Sequence, residues 1–343
     1  MLDPEEGAKL LGSTHHLPPE SVRIYCRLWE LETWLREMAY VELKSTYGLS
    51  WSDRLKSFEH HKDKDKLLIH MTTPEDSPLA YHTLSGLWAA MTSEEHWPLF
   101  RGYFPPKALT EAKFQELFQI RHRVAHFRRP HSDDLARVSQ FLRDVDQPFW
   151  RFVTSYNESH PITPASDDPV AARFIEHDQY PWLEVEPHTW ARLGRKERGA
   201  VLTLRIDYSI RPWVDVSKLG KPPVPNRGVL YHVAIQALDA RTFDYQPLLE
   251  RTQRLHARCV HVIIDGSTVH FTIPSFLPNE SISETIDSFW EASRRYVSVV
   301  TSGPSGDSDK AERIADGWPE YVLGPRNPLA FLCPDMPCTF FGA

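Results

Sequence analysis

The hydrophobic pattern of the chain changes at a polar, proline-rich segment, Asn157–Pro169. Before this segment, apolar residues recur at the spacing of amphipathic helices. After it, apolar and polar residues alternate in short runs, as they do in strands. A chain of 343 residues has room for two domains. We therefore predict a multidomain protein with a flexible arm (1–19), an all-helical bundle (20–156), a linker (157–169) and an α+β domain (170–343).

The order of elements in the second half predicts the kind of sheet. Two strands, a helix, a hairpin and a second helix are expected at 200–210, 229–238, 245–258, 259–275 and 281–297. This β-β-α-β-β-α order predicts a mainly antiparallel sheet with helices on one face. His261 and His270 alternate with the apolar core positions of the hairpin, so we expect them on a face turned to solvent or to a domain interface.

Composition limits the classes of function. The net charge of −7 argues against a chain covered by nucleic acid, because nonspecific phosphate binding needs concentrated lysine and arginine. The sequence shows neither an apolar leader nor a run of about 20 apolar residues, so we expect no signal peptide and no membrane span. The four cysteines lack the spacing of a disulfide framework or of a paired CxxC site, which favours reduced, cytoplasmic usage.

The segment Gln115–His131, QELFQIRHRVAHFRRPH, combines residues suited to handling phosphate. Taken as a helix that Pro130 ends, it places Arg121 within the apolar stripe. His122, His126 and Arg129 then share a neighbouring face, and both imidazoles can titrate near neutral pH. Further arginines make this region basic, although nearby aspartates could balance them on a solvated face.

An arginine on an apolar face needs an anionic partner or an exposed position. Glu30, Glu32 and Arg36 lie on or beside the apolar stripe of the first long helix, which we expect to end at Gly48. Glu32 and Arg36 have the spacing of a surface ion pair. One of the two acids could instead pair with Arg121, so we assign Glu32 and Arg36 a supporting role.

The run IRHRVAH, residues 120–126, resembles the arginine–polar–x3–histidine motif of HEPN domains. Two flanking segments resemble the same family, LETWLREM at 31–38 and LSGLWAAMTSEEHWPLFRGYF at 84–104. HEPN domains are small and helical, and many are metal-independent endoribonucleases. The resemblance covers roughly the first 150 residues, and His122 stands where the family most often has asparagine.

The residues and the resemblance together predict a concrete reaction. RNA can be cleaved by its own 2′-hydroxyl if a base, an acid and a cation attend the phosphate. Arg121 would be the cation, His126 the base or acid, and His122 either an orienting residue or the second proton carrier. Arg123, Arg128 and Arg129 would bind RNA, with no metal or cofactor. The resemblance also implies a homodimer, a toxin or antiphage role, and a second domain that senses or binds an inhibitor or activator protein.

Three alternatives stay open at this point. Arg121 and His126 could be a buried ion-pair residue and a structural histidine. The helical domain could bind RNA, a nucleotide or a partner protein without catalysis. The chemistry could also lie in the second domain, although no motif there supports that interpretation.

Overall fold

The computed structural model describes residues 18–55, 59–70, 77–157, 162–187, 189–192, 194, 198–219, 226–300, 304–336 and 338–342. The chain divides into two compact units. The helical unit comprises Met1–Glu42, Asp53–Phe152 and Met336–Ala343, and the sheet unit comprises Leu43–Ser52 and Val153–Asp335. A helical region followed by a mostly antiparallel sheet agrees with the predicted layout. Most of the predicted arm, 1–17, lies outside the described residues.

Most helices of the first half lie where the sequence periodicity predicts them. They are α1 (Pro19–Tyr47), α2 (Glu59–Lys66), α3 (Leu84–Met91), α4 (Trp97–Phe100), α5 (Lys107–Ala125) and α6 (Asp134–Tyr156), with 3-10 turns at Gly48–Ser50, Ser52–Arg54 and Pro78–Tyr81. Gly48 follows α1 with a φ of +59°, a conformation that glycine adopts without strain. The division into units falls inside α1, after Glu42, and inside α6, after Phe152.

Aromatic packing forms the core of the helical unit. Trp88 of α3 stacks on Phe114 of α5 with ring centroids 3.9 Å apart, and Phe141 of α6 meets Phe114 edge-on at 5.0 Å. Leu117 and Ile120 continue the buried stripe of α5. This stripe fixes which face of α5 is turned to the core and which face carries the candidate chemistry.

The last residues of the described chain pack on the helical unit. Phe340 meets Trp34 edge-on at 4.8 Å, and the Phe341 amide donates to Asp146 over 2.8 Å. The Phe341 carbonyl accepts a hydrogen bond of 2.7 Å from Arg27. The predicted second domain, 170–343, therefore ran too far, because its final aromatic residues are buried against helices α1 and α6.

The sheet unit is built on a five-stranded sheet in the order β3-β4-β7-β6-β9, parallel only between β6 and β9. Its strands are β3 (Leu202–Ile210), β4 (Val229–Ala237), β6 (Val262–Asp265), β7 (Thr268–Pro274) and β9 (Val322–Leu323), and two small ladders pair β1 (Trp182–Glu186) with β2 (Thr189–Arg192) and β5 (Arg241–Phe243) with β8 (Val297–Val299). The helices are α7 (Ala171–Phe174), α8 (Tyr245–Thr252), α9 (Asn279–Tyr296), α10 (Pro304–Ala315) and α11 (Pro328–Phe331), with 3-10 turns at Ile175–His177, Val216–Lys218 and Gln253–Arg258. The predicted hairpin is confirmed across Gly266.

The predicted linker, 157–169, belongs largely to the sheet unit. Ile162 pairs with Tyr208 through backbone hydrogen bonds of 3.2 and 2.8 Å. Asp168 accepts hydrogen bonds from the first amides of α7 and from the hydroxyl groups of Tyr208 and Tyr231. Residues 158–161 lie outside the described part. This segment was mistaken for a linker because its polar side chains cap and bridge elements of the sheet unit.

His261 is buried on the sheet face that also carries His270, so of the two predicted surroundings, solvent and a domain interface, solvent is excluded for His261. His261 and Thr272 are fully buried, and both are hydrogen-bonded to the Tyr156 hydroxyl at the end of α6. His232 Nδ1 lies 3.1 Å from His270 Nε2. Burial lowers the pKa of His270 to about 4 and also lowers the pKa of His232 well below its ordinary value.

Candidate active site

Helix α5 ends five residues before Pro130, which corrects the predicted helix end. The Arg128 amide donates to the Arg123 carbonyl over 3.0 Å, and the Phe127 amide donates to the Val124 carbonyl over 3.1 Å. This pair of hydrogen bonds is a Schellman motif with Phe127 in the left-handed position, at a φ of +55°. Ala125 and Phe127, which a helix continued to Pro130 would place on its apolar side, are exposed.

The Arg121 guanidinium contacts a carboxylate through Nε, and the side chain is partly exposed. Its Nε lies 4.0 Å from Glu32 Oε2, and 40% of its side chain is exposed. The predicted pairing of Glu32 with Arg121 is therefore present, at the outer limit of an ion pair. None of the described residues accepts a hydrogen bond from the terminal nitrogens of Arg121, which remain available for an anion.

Arg36 completes the support on the other side of the same carboxylate. Its Nη2 lies 2.5 Å from Glu32 Oε1 and donates to the His82 carbonyl over 3.2 Å. Its Nε donates to the Leu79 carbonyl over 3.1 Å. Two guanidinium groups thus share one carboxylate that is only 12% exposed. The three side chains together carry a net positive charge, as the supporting role assigned to Glu32 and Arg36 requires.

His122 and His126 lie side by side at the end of α5. Their ring centroids are 4.4 Å apart with the planes at 62°, and both residues are exposed. His126 is the residue at which the helix ends, so its ring stays beside the ring one turn earlier. Arg129 lies beyond the end of the helix, so it does not share the helical face that was predicted for it.

Of the three arginines expected to bind RNA, one has a structural partner. Arg123 binds Asp134 through two hydrogen bonds of 3.1 and 2.6 Å, and the Asp134 side chain is 2% exposed. The guanidinium fork of Arg123 is therefore used within the fold, which corrects its predicted RNA-binding role. Arg128 and Arg129 are exposed, and neither has an ion-pair partner among the residues that the structure describes.

One group of potential metal ligands was missed by the sequence analysis. His131, Asp133 and Asp134 offer ligand atoms within 4.8 Å of one another in the turn before α6. Ligand spacing on one helix face does not identify this group, because its residues lie at a turn. Both Asp134 oxygens already accept hydrogen bonds, from Arg123 and from the His131 amide. This competition leaves the group poorly suited to hold a metal.

A second polar network lies in the sheet unit. Ser209 Oγ is 2.6 Å from His232 Nε2, and His232 Nδ1 is 3.1 Å from His270 Nε2. The residues come from three strands, so no linear motif could have identified them. Ser209 is 2% exposed, and a buried hydroxyl cannot meet a substrate. We therefore interpret this network as structural.

One pocket in the helical unit is separate from Arg121. It has a volume of about 380 Å³ and lies at the opposite end of α5, beside the ion pair of Lys113 with Asp144. None of its lining residues belongs to the Arg121–His126 segment. The candidate site of a single chain is thus a charged surface at a helix end.

Comparison with known proteins found no matching family model, no matching curated protein and no matching solved structure. None of the described helices combines the length and the apolar character needed to cross a membrane. A functional assignment therefore depends on the residues and geometry described above.

Proposed function

We propose that the helical unit is a metal-independent endoribonuclease of the HEPN type. The observation that carries the proposal is the arrangement at the end of α5, where the half-exposed Arg121 precedes two exposed, adjacent imidazoles. A buried structural arginine would be closed off by its partners. Here the contact with Glu32 leaves the terminal nitrogens of Arg121 available.

The proposed reaction needs only RNA and protein side chains. A neutral imidazole takes the proton from the 2′-hydroxyl, whose oxygen attacks the adjacent phosphorus. The bond from phosphorus to the 5′-oxygen breaks, and an imidazolium protonates the leaving oxygen. The products are a 2′,3′-cyclic phosphate and a 5′-hydroxyl. Arg121 would stabilise the charge on the phosphorane oxygens, because its planar fork matches two oxygens at once.

His126 and His122 would supply the two proton transfers. In an in-line displacement, the attacking and leaving oxygens lie on opposite sides of the phosphorus. Two rings with centroids 4.4 Å apart on one side of a helix approach a phosphate from the same direction. A second copy of the chain could supply the opposite group, so we propose a homodimer through the helical unit.

The sheet unit would then regulate the nuclease. We propose that it senses a signal or binds an inhibitor or activator protein, and that the protein acts as a toxin or antiphage effector. The four cysteines of the chain are free, which suits a reducing, cytoplasmic location.

One observation favours a competing function, RNA binding without cleavage. Arg128 and Arg129 are exposed without ion-pair partners among the described residues, which suits phosphate binding and requires no proton transfer. In that case the substitution of either histidine would leave the binding of RNA almost unchanged.

The decisive experiment is cleavage of total RNA in EDTA with end-group analysis of the products. We expect cyclic-phosphate ends from the wild type and loss of cleavage in both Arg121→Ala and His126→Ala. Matched controls are His131→Ala and Arg137→Ala, which remove an exposed histidine and an exposed arginine nearby. Activity that persists in both site variants would overturn the assignment, and RNA binding without cleavage by the wild type would favour the competing function.

A further inference from the structure

Two aromatic side chains on α1 are exposed at the surface of the helical unit. Tyr25 is 51% exposed and Trp29 is 61% exposed. Their ring centroids are 6.0 Å apart with the planes at 34°. Large aromatic side chains usually lose most of their surface on folding, so an exposed neighbouring pair indicates a surface with a binding role.

The aromatic pair lies on the same face of α1 as Glu32 and Arg36, the residues that support Arg121. At about 100° per residue, Tyr25, Trp29, Glu32 and Arg36 all fall within roughly 60° of one another. Trp29 is three residues before Glu32, which corresponds to about 4.5 Å along the helix axis. Glu32 in turn lies 4.0 Å from Arg121. Trp29 therefore lies about one helical turn, and Tyr25 about two turns, from the residue that contacts the proposed catalytic cation.

We propose that Tyr25 and Trp29 form a stacking platform for unpaired bases of single-stranded RNA whose phosphate is held at Arg121. This inference depends on the proposed nuclease site and adds the class of substrate. Every nucleobase has a π face, so such a platform accepts many sequences. Bases within a duplex are already stacked and cannot reach the rings, so single strands are selected over duplexes.

The size and charge of this face favour RNA over a second protein chain. Aromatic side chains present about 150–250 Å² each when fully accessible, so two rings that are 51% and 61% exposed offer roughly 200 Å². A stable protein interface needs about 800 Å² from each partner. Arg36 and Arg121 share the carboxylate of Glu32, and Glu30, next to Trp29, is paired with Arg27 over 3.2 Å. These five charges sum to one positive charge, which complements a phosphate backbone.

The test measures binding and cleavage separately, using the full chain in EDTA. Binding is followed by fluorescence anisotropy of a labelled single-stranded RNA, a duplex of the same sequence, and an abasic version of the single strand. Binding is measured in the His126→Ala background so that the RNA stays intact. The variants are Trp29→Ala, Tyr25→Ala and Trp29→Phe. The matched control is Phe331→Ala, an aromatic residue of the sheet unit that is 46% exposed.

We expect Trp29→Ala to weaken single-strand binding by about 5- to 100-fold, the range for loss of one stacked base. Trp29→Phe should recover most of this affinity, and Phe331→Ala should match the parent chain. The abasic strand should bind the parent weakly and should show little further loss with Trp29→Ala. Photocrosslinking with 5-iodouridine RNA should label Tyr25 or Trp29.

The outcomes separate this inference from the nuclease proposal. Cleavage that depends on His126 with unchanged affinity in Trp29→Ala would overturn the platform and leave the nuclease in place. Stacking-dependent binding without cleavage would support the platform and reject the nuclease. A chain that binds no single-stranded RNA contradicts both. A change from dimer to monomer in Trp29→Ala with unchanged RNA binding per protomer would show that the rings bind a second copy, which also overturns the platform.

Discussion

Arg123 and Asp134 form a two-hydrogen-bond ion pair that ties the last turn of α5 to the first turn of α6. Asp134 is almost fully buried, while Arg123 is 23% exposed. The pair places the segment with His126 between two fixed helix ends. It also explains why an arginine within the proposed motif does not contribute to the surface charge available for RNA.

Removal of Arg123 should destabilise the helical unit. Arg123→Ala leaves a buried carboxylate without its cation, and we expect a loss of about 3 kcal/mol in the free energy of unfolding. The measurement is urea denaturation followed by circular dichroism. Arg137→Ala is the control, because Arg137 forms only exposed pairs with Glu116 and Asp133, so it should lower the free energy of unfolding far less than Arg123→Ala. Equal effects of the two substitutions would contradict the structural role of Arg123.

Replacement of Phe127 by glycine should stabilise the helical unit. Phe127 has a φ of +55° and is 96% exposed, so it bears the cost of a left-handed conformation with little packing in return. Glycine removes a cost of about 1–2 kcal/mol at this position, and the greater freedom of glycine in the unfolded chain offsets roughly half of it. We expect a net gain of about 0.5–1 kcal/mol in chemical denaturation. A loss of stability would mean that the Phe127 ring has a packing partner.

The C-terminal aromatic residues should contribute to the stability of the helical unit. Phe341 is 3% exposed, and its ring centroid lies 5.1 Å from that of Phe149. Phe341→Ala should cost about 3 kcal/mol, as expected for loss of a buried aromatic side chain. Phe331→Ala, at an exposed position, should cost less than about 1 kcal/mol. Thermal denaturation of both variants tests this, and an unchanged midpoint for Phe341→Ala would argue against docking of the tail.

The sheet unit should lose stability as the pH falls from about 6.5 towards 4. Burial lowers the pKa of His256 and of His270 from the ordinary 6.5 to about 4, and that of His232 is lowered as well. Above pH 6.5 these histidines are neutral in both the folded and the unfolded chain, so they do not change the free energy of unfolding with pH. Below it the unfolded chain binds protons that the folded chain cannot, which favours unfolding.

Each of these histidines should contribute a slope of about 1.4 kcal/mol per pH unit within this window. The measurement is the free energy of unfolding of the sheet unit in urea between about pH 7.5 and 5. His256→Gln should reduce the slope of the free energy of unfolding against pH by about the contribution of one histidine. The His256 ring is buried against Phe289 and hydrogen-bonded to Thr252. A free energy that stays constant across the window would show that the rings are accessible to protons in the folded state.

Local pattern in the sequence accounts for the elements and for part of the site. The apolar spacing of Phe114, Leu117 and Ile120 identified the buried face of α5. Because a charge on such a face needs a counter-charge, the sequence also indicated Glu30 or Glu32 as a partner of Arg121, and the structure places Glu32 there. Alternation of apolar residues predicted the hairpin of β6 and β7. These features follow from residues that are neighbours in the chain or share one periodic face.

Tertiary structure decided the features that depend on distant partners. Whether Arg123 meets RNA or Asp134, and where the final aromatic residues dock, depends on which elements pack together after folding. Burial of His261 required Tyr156, 105 positions away in the chain. The early end of α5 was set by two backbone hydrogen bonds around Phe127, a residue whose type does not favour a left-handed conformation. Periodicity records which face an element buries, but the identity of the group that covers that face is a property of the folded chain.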